Sequence, residues 1–229
     1  MKIMPHFKIA FIMTENIFAR EVLNQDIERG GIIDAVIIEK SEFAERNKSY
    51  LVNDFYNPPE LGDLLKKSKA KIFYTANHNA EDCREILLRL KPDLIFLGGV
   101  RIIKQPIIDT ASIGVLNSHP GLLPKYRGQD IVGWAIYNNE AVGATCHFID
   151  TGIDTGPILL KKEVGYEKGE TLLQIRVAVM KVCAELLFEA AKGLEKGTLK
   201  PRPQKKEEGE NFPAMPENIV KLVEEKLLS

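Results

Sequence analysis

No apolar run in this chain approaches the roughly 18 residues that a membrane helix needs. The first residues, Met-Lys-Ile-Met-Pro-His-Phe-Lys, lack the apolar core of a secretory signal. Neither sign of charge is in excess: 31 Lys and Arg oppose 32 Asp and Glu, for a formal net charge of -1. No global basic field therefore advertises nucleic acid or an anionic membrane. Cysteine is scarce and scattered. Cys83, Cys146 and Cys183 form no C-x-x-C pair, which excludes a disulfide framework or zinc knuckle and fits a reducing cytoplasm. The four histidines, His6, His78, His119 and His147, show no metal-ligand spacing, so no metal is expected. Glycine is missing where a nucleotide binder would have it. The turn after the first strand is Thr14-Glu15-Asn16, which offers no glycine-rich cradle for a phosphate.

What is present is globular in composition: 229 residues, 45% hydrophobic and 28% charged, enough for one full core with or without an appendage. Phe7 to Met13 reads as a buried strand, Asn16 to Arg29 as a helix stopped by Gly30-Gly31, and Ile32 to Glu39 as a second strand. That rhythm belongs to a parallel sheet with crossover helices, an α/β fold. Ser41 to Lys69, broken by Asn57-Pro58-Pro59, reads as a helical excursion. A strand at Lys71 to Ala76 leads to a helix capped by Asn79 and ending near Lys91, then to a strand at Leu94 to Gly98. His78, just past a strand end, reads as loop surface. Further on, Trp134 in a helix from Asp130 to Asn139 reads as a core anchor. Strands follow at Gly143 to Ile149 and Ile158 to Val164. The helix over Thr171 to Lys192 repeats apolar residues at Leu172, Ile175, Val179, Cys183, Leu186 and Ala190, steps of three and four that make one buried face. Residues 1–197 are thus expected as one catalytic domain. Residues 198–229 are expected as a linker-like stretch, with its solvated run Lys205-Lys206-Glu207-Glu208, and a docking helix begun by Pro216.

The polar residues that fall where strands end carry the chemistry. An apolar run from Ile113 to Leu116 delivers Asn117 and His119, two apart and therefore on one face of a strand, about 6–7 Å apart by the strand rise. An amide can donate to an oxyanion, and an imidazole can carry a proton near neutral pH. Thr145 and His147 share a face of a later strand, and the turn Asp150 to Pro157 is dense in glycine and aspartate. Taken one at a time these groups have ordinary structural explanations: Asn117 as a turn cap, His119 as a satisfied core histidine, Asp150 and Asp154 as loop shapers.

Taken together they resemble a family. The string Leu116-Asn117-Ser118-His119-Pro120-Gly121-Leu122-Leu123-Pro124-Lys125-Tyr126-Arg127-Gly128 is similar to the signature of the folate-dependent formyltransferases. Val142-Gly143-Ala144-Thr145-Cys146-His147-Phe148-Ile149-Asp150-Thr151-Gly152-Ile153-Asp154-Thr155-Gly156 is similar to their second signature. The likeness runs over about residues 90–195. It implies a three-layer, Rossmann-like fold whose mostly parallel central sheet is flanked by helices. It also implies direct formyl transfer from N10 of 10-formyltetrahydrofolate to an amine. By the resemblance, Asn117 donates to the growing oxyanion and His119 carries the proton from amine to N10. Asp154 keeps His119 charged, and Thr145 and His147 support them. Backbone groups of Arg101, Ile102, Ile103 and Lys104, and of the turn holding Asp150, Gly152 and Asp154, bind the pterin edge. Gly121, Leu122, Leu123 and Pro124 border the folate, and Lys125, Tyr126 and Arg127 face the acceptor.

The departures from the pattern bear on the acceptor. Glycinamide ribonucleotide transformylases carry a glycine- and serine-rich loop where this chain has Thr14-Glu15-Asn16. Methionyl-tRNA formyltransferases carry a C-terminal barrel, for which the roughly 35 residues after the last long helix are too few. A small amine, such as an aminosugar nucleotide, is the expected acceptor, with the two named activities as alternatives. A formyltetrahydrofolate deformylase and a non-catalytic folate binder are further alternatives, and a homodimer stays open.

Overall fold

Runs of β-branched and aromatic residues without polar interruption can only be strands covered on both faces, and the chain has several. In the computed structural model, which describes residues 6–47 and 55–228, they form the centre of the first of two compact units. That unit comprises Met1–Asn117 and Ala191–Thr198, and the second comprises Ser118–Ala190 and Leu199–Ser229.

The first unit runs β1 (Ile9–Met13), α1 (Ile17–Glu28), β2 (Ile33–Glu39), α2 (Glu42–Asn47), α3 (Leu61–Lys67), β3 (Lys71–Thr75), α4 (Glu81–Leu90), β4 (Leu94–Gly98), α5 (Gln105–Ile108) and most of β5 (Gly114–His119). Its strands lie in the order β3-β2-β1-β4-β5, all parallel, with Phe11 opposite Val36 on one side and Phe96 on the other. Every residue of β1 and β4 is buried, while β3, at the edge, exposes Tyr74. Asn16 starts α1. Its Oδ1 accepts from the Ala19 N–H at 2.9 Å, and its Nδ2 donates to the Gly98 carbonyl at 3.2 Å. That second bond explains Gly99. Its φ is +66°, and a Cβ there would lie 2.1 Å from Asn16 Nδ2, so only glycine fits.

The excursion over Ser41 to Lys69 contains two short helices, and its residues 48–54 lie outside the described residues. Its Asn57-Pro58-Pro59 break is held by Arg20 of α1, whose Nε donates to the Pro59 carbonyl at 2.9 Å and whose Nη2 donates to Asn57 Oδ1 at 3.0 Å. One expectation is overturned here. Ala80, not Asn79, precedes α4 as its N-cap. Asn79 is drawn instead to the 102–104 loop, where Nδ2 donates to the Ile102 carbonyl at 2.9 Å and Oδ1 accepts from the Lys104 N–H at 2.7 Å.

The second unit opens on the last two residues of β5 and continues through β6 (Tyr126–Gly128), α6 (Ile131–Tyr137), β7 (Gly143–Phe148), β8 (Ile158–Glu163), most of α7 (Leu172–Glu195), β9 (Glu210–Phe212) and α8 (Glu217–Leu228). β7 and β8 pair antiparallel, and β6 and β9 pair parallel. The apolar face of α7 is buried as its spacing requires. With four parallel strand pairs in the first unit, the fold is α/β and mostly parallel.

The stretch read as linker-like is packed. Arg202 and Ile158 exchange backbone hydrogen bonds at 2.8 Å, residues Lys206–Glu208 make a 3-10 turn, and β9 follows. Phe212 then stacks on Tyr126 with ring centroids 5.1 Å apart and lies 5.5 Å from Trp134. Trp134 is therefore no core anchor. It is half-buried, and its Nε1 donates to the Pro213 carbonyl at 2.9 Å, which fastens the C-terminal segment. Among the described residues no helix is long and apolar enough to cross a membrane.

Candidate functional site

Strand alternation on β7 puts Thr145 and His147 on one face and Cys146 on the other. All three are buried, so their polar groups must find partners inside. Thr145 Oγ1 donates to the Gly121 carbonyl at 2.6 Å and accepts from the Leu123 N–H at 3.0 Å. Lys161 Nζ donates to the Leu123 carbonyl at 2.9 Å. The loop after β5 is thereby held from β7 and β8, and it in turn places β6.

His119, 3% exposed, sits at the end of β5 with its Nε2 2.9 Å from the Tyr126 carbonyl. A carbonyl only accepts, so Nε2 carries a hydrogen and Nδ1 is the nitrogen that gains or loses a proton. Nδ1 lies 3.4 Å from Asp154 Oδ2, which also accepts the Gly128 N–H at 3.0 Å. The other carboxylate oxygen, Oδ1, lies 3.7 Å from His147 Nε2, while His147 Nδ1 donates to the Phe148 carbonyl at 2.7 Å. One carboxylate thus faces two imidazoles.

Burial disfavours the charged form of both. It lowers the pKa of His119 below its ordinary 6.5, against the opposing pull of Asp154 and the Tyr126 carbonyl. Burial also drives His147 down to about 4, opposed by Asp154 and assisted by the charge of His119. The expectation that Asp154 keeps His119 charged meets an opposing effect, since burial acts against the imidazolium that the carboxylate and the Tyr126 carbonyl favour. A pH dependence follows. Both histidines bind protons more readily unfolded than folded, so this part of the stability is complete above pH 6.5. It is lost as pH falls through the depressed folded values, toward about 4 for His147. Urea midpoints across that window should decline with acid, and His147→Gln should flatten the decline. An unchanged slope in the variant would contradict the account.

Asp154 comes from a turn with φ +53°, a left-handed conformation uncommon outside glycine, asparagine and aspartate. Asp150 Oδ1 shapes that turn, accepting from the Gly152 N–H at 2.9 Å and the Thr155 hydroxyl at 2.6 Å. Gln204 closes it from below, with Nε2 donating to the carbonyls of Asp154 at 3.0 Å and Gly156 at 2.6 Å. Nothing local marked Gln204, a lone glutamine among prolines and charges.

Other expected residues are placed differently. Of Gly121, Leu122, Leu123 and Pro124, Gly121 and Leu123 are buried. Tyr126 and Arg127 are buried too, so of the three residues expected to face the acceptor only Lys125 is exposed, and it pairs with Glu140 at 2.7 Å. Arg101, Ile102, Ile103 and Lys104 lie in the first unit, between β4 and α5. Ile102 is 71% exposed and Ile103 is buried.

Arg101 belongs to a cluster that the sequence reading missed. Its guanidinium donates to both oxygens of Glu39, whose side chain is fully buried. Ser41 Oγ donates to Glu39 Oε1 at 2.6 Å and the His78 N–H to Oε2 at 3.0 Å, with His78 Nδ1 also 3.0 Å from Oε2. Burial pushes the Glu39 carboxyl up, but the bonds from Arg101, Ser41 and His78 hold it below its ordinary range. His78 is thus no loop-surface residue but a fully buried one. The available signal was Glu39 itself, an acid closing the apolar run Ala35–Ile38. Glu39→Ala should cost about 3 kcal/mol in urea unfolding, because it strands a partly buried cation and a buried imidazole. A cost below about 1 kcal/mol would mean the cluster is not held by this carboxylate.

Comparison with known proteins adds a family. A family model described as formyl transferase matches residues 7–191. The methionyl-tRNA formyltransferase of Pelobacter propionicus is 30% identical over 189 residues, covering 82% of this chain and 57% of that protein. That of Caldanaerobacter subterraneus subsp. tengcongensis is 31% identical over 208 residues, 90% of this chain and 65% of that protein. The chain thus spans less than two thirds of the length of these relatives. A solved sugar 3N-formyl transferase, crystallised in the presence of dTDP and 5-N-formyl-THF, shares the fold. Its TM-score is 0.62 at 21% identity, over 91% of this chain and 70% of that one.

Proposed function

The chain belongs to the formyl transferase family, and from that premise we propose that it transfers the formyl group of 10-formyltetrahydrofolate from N10 to a primary amine in the cytoplasm. The observation that carries the reading is the buried His119, gripped at Nε2 by the Tyr126 carbonyl and facing the Asp154 carboxylate with Nδ1. A general base must be unprotonated before the reaction and stabilised once it has taken the proton. Burial supplies the first condition and Asp154 the second.

The amine attacks the formyl carbon, and the carbonyl oxygen gains negative charge. Asn117, two residues before His119 on β5, donates its side-chain N–H to that oxygen. His119 Nδ1 takes the proton from the attacking nitrogen, and the imidazolium is held between carbonyl and carboxylate. The proton then passes to N10 as the carbon–N10 bond breaks, releasing tetrahydrofolate and the formylated amine. Arg101 to Lys104 and the Asp150–Gly152 turn hold the pterin edge in this reading. In the first loop the Ile102 carbonyl and Lys104 N–H already bond Asn79, so the Arg101 and Ile103 backbone groups carry the recognition.

The acceptor we favour is a small amine such as an aminosugar nucleotide. Tyr126 and Arg127 are buried, which leaves Lys125 as the exposed residue of the trio, and the solved sugar formyl transferase shares the fold. A second reading, methionyl-tRNA, is favoured by the curated relatives at 30–31% identity. The test is incubation with 10-formyltetrahydrofolate and, separately, amino-sugar nucleotides, methionyl-tRNA and aminoribonucleotides, with products read by mass spectrometry. A formylated amine from any of them supports the transfer and identifies the class. Formate release with no amine present, and no formylated product with any acceptor, would replace the transferase reading with a hydrolase.

A further inference from the structure

An aspartate at φ +53° is in the left-handed region, which non-glycine residues enter only occasionally and Asp and Asn most readily, so the turn's other contacts decide how firmly it is held there. Something must over-determine the turn for its carboxylate to meet two histidines at once. We propose that Gln204 is a positioning residue for this site, fixing the Asp154 carboxylate against His119 from a segment that follows the last long helix.

The side-chain amide has no freedom in its orientation. Its two N–H bonds go to the carbonyls of Asp154 and Gly156, and its oxygen accepts from Arg127 Nη2 at 3.1 Å. Carbonyls only accept and a guanidinium only donates, so the flipped amide would break every one of these contacts. Arg127 is itself buried and donates to the Lys205 carbonyl at 3.0 Å, and the exchange between Arg202 and Ile158 anchors the chain two residues before Gln204. Gly156 shows how little slack the turn has, since a Cβ there would lie 1.9 Å from the Phe148 carbonyl. The brace therefore acts on the backbone on either side of Thr155, and the Gly128 N–H acts on the carboxylate. Removing the amide leaves the Arg202–Ile158 anchor in place but lets residue 154 relax toward right-handed φ. Such a relaxation carries Oδ2 away from Nδ1. Gln204 touches neither reactant in this account and acts only through Asp154.

The inference rests on the reading of Asp154 as the partner of His119, and the experiment separates the two. The His119 imidazole is titrated by NMR, assigned with His119→Gln, in the wild type, Gln204→Met, Asp154→Asn and the double variant. Turnover of 10-formyltetrahydrofolate is followed in the same proteins with an amino-sugar nucleotide and with methionyl-tRNA as acceptors. Gln204→Met should move the His119 midpoint in the same direction as Asp154→Asn. It should cut kcat about 10- to 100-fold, the scale set by misplacement of a catalytic group, with KM for folate unchanged. In the Asp154→Asn background it should add little, because the two act as one unit. An unmoved midpoint in Gln204→Met, or equal losses in both backgrounds, overturns the positioning role. Wild-type turnover in Asp154→Asn instead overturns the proton path, and then the midpoint in Gln204→Met alone decides whether the turn is held as argued. Gln204→Glu, which keeps the length but loses both donors, should behave like Gln204→Met and guards against a packing artefact.

Discussion

Asp154→Asn should lower kcat about 10²- to 10⁴-fold, the range of general acid–base contributions, and leave the fold intact. Asparagine tolerates the left-handed φ that Asp154 adopts and can still accept the Gly128 N–H, so the turn keeps its shape. What it loses is the charge. The imidazolium formed when His119 takes the amine's proton would have no counter-charge in a site where burial already disfavours it. Folate binding by calorimetry and the thermal midpoint should stay near wild type while single-turnover formyl transfer collapses. Retained turnover would mean that the proton travels by another route.

Asn117→Ala should reduce kcat about 10²- to 10³-fold, about 2.7–4 kcal/mol of transition-state stabilisation, the scale measured for one oxyanion donor. Asn117 lies on β5 two residues before His119, and the period of a strand gives both side chains the same face. Its amide gains most as the formyl oxygen becomes an anion, so the loss belongs in kcat and not in KM. Asn117→Asp should be at least as damaging, because its carboxylate sets a negative charge against the developing one. A raised KM with unchanged kcat would move Asn117 from the chemistry to ground-state binding.

Much of this was legible in the chain itself, for a local reason. Hydrophobic period and turn residues are read over a few positions, so β1, β4, β5, β7 and α7 lie within a few residues of where their patterns ended. The same logic paired Asn117 with His119 and Thr145 with His147. The misses share the opposite property. His78 became buried because Glu39 lies 39 residues earlier and needs hydrogen bonds from several directions. Asn79 abandoned α4 for a loop 23 to 25 residues on. The stretch read as linker turned out to pair with β6 and β8, since proline and charge describe a segment's own preferences and not the partner that waits for it.

The two strings that begin at Leu116 and Val142, and the strand endings that present their polar groups, were determined by the sequence alone. Residue identity and strand period depend on nothing farther than the next few positions. The burial of His119, the grip of Gln204 on Asp154 and the burial of Glu39 were decided only by the tertiary structure. Desolvation and long-range hydrogen bonds exist only once distant segments have closed over one another.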